Sequence, residues 1–283
     1  MRLVTILARF GTEQYPRAEQ EIADIFQRQM PEVDRTVVVV DNALPGGFEE
    51  KYPDRTLIGG DNGAREFSAF DRALDFIGSD IWSYDLVHFA TSAFNTLYVD
   101  YLRLFNASLL EAVADHPACV GHIDRYNEPV EILHFRSQHW IRSCFFFLPP
   151  TEVKALGRLA TIQDGGPFFS GDHGAPFRPD APLSTTYRTY ITDWLTGRDI
   201  GQGVEWHSRL VLTPETLPSF ESKAVAIINE QLLGVRLRAM GCRDIDVTWL
   251  ATMFPKGAAD SIPWDTGWRE QLAGRNRDVL LPS

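Results

Sequence analysis

Apolar positions fall first in short blocks of the kind that build strands, separated by stretches where they recur at helical spacing. "RLVTILA" (Arg2 to Ala8) predicts a buried strand, and in "PRAEQEIADIFQRQM" the residues Ala18, Ile22, Ile25 and Phe26 share one helix face. "RTVVVVDN" follows, its four valines predicting a strand covered on both faces, as in a parallel sheet. The loop "ALPGGFEEKYPD" leads to a short strand, "TLIGG". "REFSAFDRALDFI" is helical again, with Phe67, Phe70, Leu74 and Phe76-Ile77 inward and Asp71 on the solvent face. "LVHFA" makes a fourth strand. Strand-helix-strand-loop-strand-helix-strand predicts an α/β half whose strand ends converge on one edge, where open α/β sheets bind ligands.

The second half is less regular. "LYVDYLRLFNASLLEAV" reads as a helix, and "ACVGHI", "PVEIL" and "HWIRSCFFFL" read as strands. "TEVKAL" is a short helix with Thr151 as its N-cap. "ATIQDGGPFFSGDHGAPFRPDAP" is a long loop, of a length that is often functional. "STTYRTYITDWLTG" is a helix between a Ser184 N-cap and a Gly197 C-cap, "FESKAVAIINEQLLGVRLRAM" a longer one, and "DIDVTWLATMF" a final strand. With no repeat and no clear linker, residues 1–283 read as one domain.

Net charge is −11, which disfavours nucleic acid as a general partner but leaves room for an anionic ligand held by a few local cations. Cys119, Cys144 and Cys242 are far apart and odd in number, and two lie in apolar runs, which suggests buried thiols in a reducing compartment. Met1-Arg2 leads straight into a strand, with no signal peptide in view, and no apolar stretch approaches a membrane span. The expected location is the cytoplasm, with a peripheral membrane contact left open.

Polar residues gather at four strand ends: "RFGTEQ", "DN" (Asp41-Asn42), "GGDNGAREF" and "TS" (Thr91-Ser92). Asp41 or Asn42 can read a base or ribose edge, or simply form an Asx turn. Gly59-Gly60 lets backbone approach a ligand closely. Asp61, Asn62 and Gly63 lie where the next helix begins, as anion site or as cap, and Arg65 would add a fork of donors. Glu66 can complement the helix dipole. His122, His134, His139, His173 and His207 have no metal-ligand spacing, and no metal site is expected.

The order and spacing of these motifs resemble the GT-A glycosyltransferases of the family-2 type. "VVVVDN" is followed by "DNG" (Asp61 to Gly63) about 20 residues later. "REFSAFDRAL" and "DLVHFATSAF" are similar to motifs of bacterial rhamnan-synthesis-type enzymes. The likeness covers Arg2 to Phe94 well and "FRSQHWIRSCFFFLPPTEVKAL" weakly. It implies a mixed, mainly parallel sheet flanked by helices, with a nucleotide-binding half at residues 1–118 and an acceptor-side half at 119–283. The implied activity is transfer of a hexosyl or deoxyhexosyl group from a nucleotide-diphosphate sugar to a glycan or glycolipid in surface-polysaccharide synthesis, with polysaccharide-assembly partners left open.

By the resemblance, Ala8, Arg9, Asp41, Asn42, Asp61, Asn62, Arg65, Glu66, Thr91 and Ser92 would contact the donor, with Ser68 in the flanking helix. The family carries Asn-Asp where this chain has Thr91-Ser92. The metal-ligating acid is therefore replaced by a hydroxyl, and weak or absent dependence on a divalent metal is expected. Asp164, or else Asp193, would be the base; Trp194, Gln138 and His139 would face the acceptor. Two other classes stay open: a non-catalytic GT-A-like domain that binds a nucleotide or glycan, and an S-adenosylmethionine-dependent methyltransferase.

Overall fold

The computed structural model describes residues 1–96, 99–198, 209–253 and 262–275. Its strands are β1 (Arg2–Arg9), β2 (Asp34–Asp41), β3 (Glu49–Lys51), β4 (Thr56–Gly59), β5 (Leu86–Thr91), β6 (Ala118–Gly121), β7 (Ile123–Ile132), β8 (Phe135–Ile141), β9 (Phe145–Leu148) and β10 (Arg243–Asp246). Its α-helices are α1 (Ala18–Gln29), α2 (Glu66–Ile77), α3 (Ala107–Ala114), α4 (Pro150–Leu156), α5 (Thr185–Thr196), α6 (Leu217–Ala239), α7 (Val247–Met253) and α8 (Trp268–Gly274).

Eight strands form one sheet in the order β10-β6-β9-β5-β1-β2-β4-β3, and β7-β8 form a separate hairpin. Pairing is parallel except at β3 and β9, which run against the rest. Strand alternation then divides the core. Leu3 and Leu7 of β1 face α1, α3 and α7, while Val4, Ile6 and Ala8 face α2, α4 and the last turns of α6. A third apolar cluster joins the hairpin to α5 and the first half of α6 through Tyr126, Trp140, Tyr187, Phe220 and Ile228.

β1 lies between two parallel neighbours, β2 and β5. The helix after β1 covers one face of the sheet, whereas α2, which leads into β5, covers the other. The chain therefore leaves β1 in opposite directions, and the carboxyl ends of β1 and β5 flank a topological switch point. Crevices of this kind are where open α/β sheets bind ligands.

Several sequence expectations are corrected. The helix read over "LYVDYLRLFNASLLEAV" is broken: a 3-10 turn at Asp100–Leu104 precedes α3, because Asn106 caps α3 by accepting from Leu109 N. Residues 97 and 98 lie outside the described set. "HWIRSCFFFL" is two strands, parted where Arg142 reaches back to Asp124. "DIDVTWLATMF" is strand only as far as Asp246, whose carboxylate accepts from Trp249 N and starts α7. The N-cap of α4 is Pro149, not Thr151, since Pro150 takes the first helical position, which needs no N–H. Ser184 and Gly197 do cap α5 as read.

Asp71 is buried, not solvated, and accepts from Leu159 N (2.6 Å) and Ala160 N (3.2 Å), tying α2 to the start of the long loop. Among the described residues no helix is long and apolar enough to cross a membrane.

Candidate functional site

The register places Arg9 beside Asp41, Asp41 beside Gly59, and Ala8 beside Thr91, so the polar strand ends named above do share one edge. Because β9 runs the other way, its entry residues Arg142, Ser143 and Cys144 reach the same edge. Backbone bonds stitch the rim: Ser92 N donates to Ala8 O (2.9 Å), Asn42 N to Arg9 O (2.9 Å) and Thr91 N to Cys144 O (3.1 Å).

Much of the polar set holds the rim itself. The Asp41 carboxylate is buried and accepts from Gly11 N (2.8 Å), Ala43 N (3.0 Å) and Arg9 Nε (2.7 Å). Arg9 also pairs with Glu19, so two carboxylates answer its charge. Asn42 Nδ2 donates to Arg65 O (2.9 Å) and more weakly to Asn62 Oδ1 (3.3 Å). Gly59 and Gly60 do permit close approach, but to the protein: a Cβ at Gly59 would meet Pro45 O, and one at Gly60 would meet Asn42 Oδ1. Asp61 closes an exposed Asx turn onto Gly63 N (2.8 Å), and neither Asp61 nor Asn62 caps α2. Asn62 and Arg65 both take positive φ, 57° and 51°, which is uncommon for residues bearing a Cβ. Ser68 Oγ helps to hold that turn by donating to Arg65 O (2.9 Å).

At the end of β5 two side chains have hydrogen-bonding capacity to spare. Thr91 and Ser92 are half-buried, and their hydroxyls have no protein partner among the described residues. Arg65 Nε donates to a neutral group, Ser222 Oγ (3.0 Å), at the first turns of α6. Burial and the neighbouring Arg65 guanidinium both lower the proton affinity of Lys223, one residue on.

Two carboxyls bracket Ser143. Glu230 of α6 accepts from Ser143 N (2.6 Å), and Glu66, the first residue of α2, accepts from Ser143 Oγ (3.5 Å). Burial pushes the Glu230 carboxyl up to about 7, although the Ser143 hydrogen bonds pull against it. Burial likewise raises Glu66. Behind Ser143, Arg142 Nε donates to Asp124 Oδ2 (2.6 Å), and His122 Nε2 lies 3.5 Å from Asp124 Oδ1. Burial opposes the charge on Asp124, but Arg142 and His122 outweigh it and hold the carboxyl far below the usual range.

The raised carboxyl gives a stability test. Glu230 takes up a proton on folding between its ordinary value, 4.5, and about 7, so its contribution to stability falls as pH rises through that window. Glu230→Gln should flatten the slope and add about 3 kcal/mol above neutrality, with Glu66 leaving a residual slope. Urea midpoints on either side of the window measure it; equal slopes in wild type and variant would refute it.

The other expected residues lie elsewhere. Asp164 is exposed and closes an Asx turn onto Gly166 N (2.9 Å). Asp193 faces Arg198 (3.7 Å), and Trp194 packs on Trp140 in the third core cluster. Gln138 and His139 line a separate cavity with Arg238 and Arg269. His207 lies outside the described residues. Sequence reasoning missed Glu230, Ser143, Arg142 and Asp124. The signals present were weak: a polar break, "NEQ", in an apolar helix, and "RS" between two strands. No protein-family model matches the chain, and no curated protein matches it.

Proposed function

We propose that the chain is a glycosyltransferase, moving a sugar from a nucleotide-diphosphate donor to a glycan or glycolipid acceptor in bacterial surface-polysaccharide synthesis. The observation that carries this reading is the switch-point crevice. Hydroxyls of Thr91 and Ser92 that have no protein partner among the described residues stand there at the end of β5, beside the edge that holds Arg65, Glu66 and Glu230. The mixed, mainly parallel sheet accords with the GT-A resemblance of the N-terminal motifs.

In this reading Arg65 and Lys223 take the charge of the diphosphate, and the two hydroxyls hydrogen-bond its oxygens. A divalent cation fits poorly: Thr91 and Ser92 offer it neutral hydroxyls where hard cations favour carboxylates. For the base, Glu230 suits better than Asp164 or Asp193. It lies at the strand-end edge, and its proton affinity is near neutral, as a general base requires.

Calorimetry with UDP, GDP, dTDP, CMP and S-adenosylmethionine, and turnover in EDTA or with added Mn²⁺, test the proposal. Nucleoside diphosphate binding and turnover that survives EDTA are expected. Arg65→Ala should weaken donor binding by about 10- to 100-fold. Glu230→Gln should lower turnover by about 10²- to 10⁴-fold while sparing donor affinity. Activity lost in EDTA and restored by Mn²⁺ would refute the metal-independent form, and binding of S-adenosylmethionine alone would refute the whole. The missing acid at Ser92 also favours a second reading, a binding domain without catalysis; donor binding with no turnover on any acceptor would select it.

A further inference from the structure

A second concentration of positive charge lies beside β10, which β6 and β9 separate from β5. Arg136 of β8, Arg238 near the end of α6 and Arg269 of α8 converge on a cavity of about 370 Å³ that Gln138, His139 and Trp268 also line. That volume falls within the range of small-molecule sites.

The cavity's charge is only partly answered. Arg238 pairs with the buried Asp244 and donates to Ser137 Oγ (3.1 Å). His139 Nε2 also faces Asp244 (3.1 Å), and burial lowers the proton affinity of the imidazole. Arg136 and Arg269 have no carboxylate partner among the described residues. Glu131 stands opposite Arg136 across the hairpin but is exposed and does not line the cavity. Three guanidiniums against one carboxylate leave two positive charges, in a chain whose net charge is −11.

One of those arginines is held in place. The guanidinium of Arg269 lies 4.4 Å from the Trp268 ring, and Trp268 stacks on His139 with centroids 4.8 Å apart. Arg269 Nη2 donates to Gln138 Oε1 (2.7 Å), and Gln138 Nε2 is anchored on Tyr126 O and Asn127 O. A guanidinium positioned by stacking and a neutral hydrogen bond keeps its remaining donors and loses little freedom when an oxyanion arrives.

We infer that this cavity binds the phosphate group of a small molecule, with Arg136, Arg238 and Arg269 as its ligands. A phosphate dianion matches the two uncompensated charges, and its oxygens suit forked donors better than a single carboxylate does. The site is independent of the donor crevice.

Equilibrium dialysis with labelled inorganic phosphate at constant ionic strength tests it. Saturable binding near one equivalent is expected, weakened about tenfold or more by Arg269→Ala and by Arg136→Ala. The exposed Arg28→Ala should leave it unchanged, and Arg65→Ala should as well. Folding of each variant is checked by its urea midpoint. Phosphate that is retained by Arg269→Ala and lost in Arg65→Ala would belong to the other crevice and overturn the inference. So would acetate competing as well as phosphate, or no saturation at millimolar phosphate.

Discussion

Asp124→Ala should lower stability by about 3 kcal/mol, measured from urea unfolding at neutral pH. The carboxylate answers the largely buried guanidinium of Arg142 through a 2.6 Å hydrogen bond, and removing it leaves that charge without its main counter-ion. Arg142→Met in the same chain should recover part of the loss, because an apolar side chain does not need the missing carboxylate. The acid limb provides a second readout. A carboxyl depressed in the folded state contributes stability above its unfolded pKa and loses it as pH falls through the folded value, so wild type should lose stability in acid more steeply than the variant. Equal acid limbs would mean that the ion pair does not stabilise the fold. The effect should extend to function: Arg142 begins the turn that presents Ser143 to Glu66 and Glu230 and Cys144 O to Thr91 N.

How far the sequence revealed this arrangement depends on the range of the interactions. The valine run of β2, the helical spacing of α1 and α2, and the Ser184 and Gly197 caps are local signals, and those elements formed as read. Convergence of Arg9, Asp41, Gly59 and Thr91 on one edge follows from parallel pairing and was legible too. Partners distant in sequence were not. Asp71 looks solvent-facing by helical period, yet backbone N–H groups 88 and 89 residues away need its carboxylate. Glu230 meets Ser143 across 87 residues, a contact no local spacing encodes. Arg9, expected to contact the donor, is instead held by Asp41 and Glu19, neither of which a local pattern ties to it. The motif "DIDVTWL" misled because β-branched and aromatic residues favour strands, whereas Asp246 captures Trp249 N and turns the chain into a helix.

The glycines of "GGDNG" should respond to alanine in three different ways. At Gly59 a Cβ would lie 1.8 Å from Pro45 O and 2.6 Å from Pro45 C, both backbone atoms. The loop cannot simply withdraw: Gly59 N donates to Phe48 O (2.9 Å), and Phe48 N donates to Pro45 O (2.8 Å). Gly59→Ala should therefore cost about 3 kcal/mol or more, the upper range for overpacking, and displace the loop after β2. At Gly60 the nearest atom is Asn42 Oδ1, 2.0 Å away on a side chain that can rotate. Gly60→Ala should keep most of the stability but break the Asn42 bond to Arg65 O, disturbing the turn that carries the guanidinium of the crevice. At Gly63 the nearest contact is 3.3 Å, to Asp61 Oδ1 in an exposed turn, and alanine there should be close to neutral. Urea midpoints for the three variants, paired with nucleoside diphosphate affinity, separate the effects: Gly59→Ala loses stability, Gly60→Ala loses affinity in a folded protein, and Gly63→Ala changes little in either. Gly59→Ala unfolding at the wild-type midpoint would show that the loop yields freely, and unchanged affinity in Gly60→Ala would detach the Arg65 turn from ligand binding.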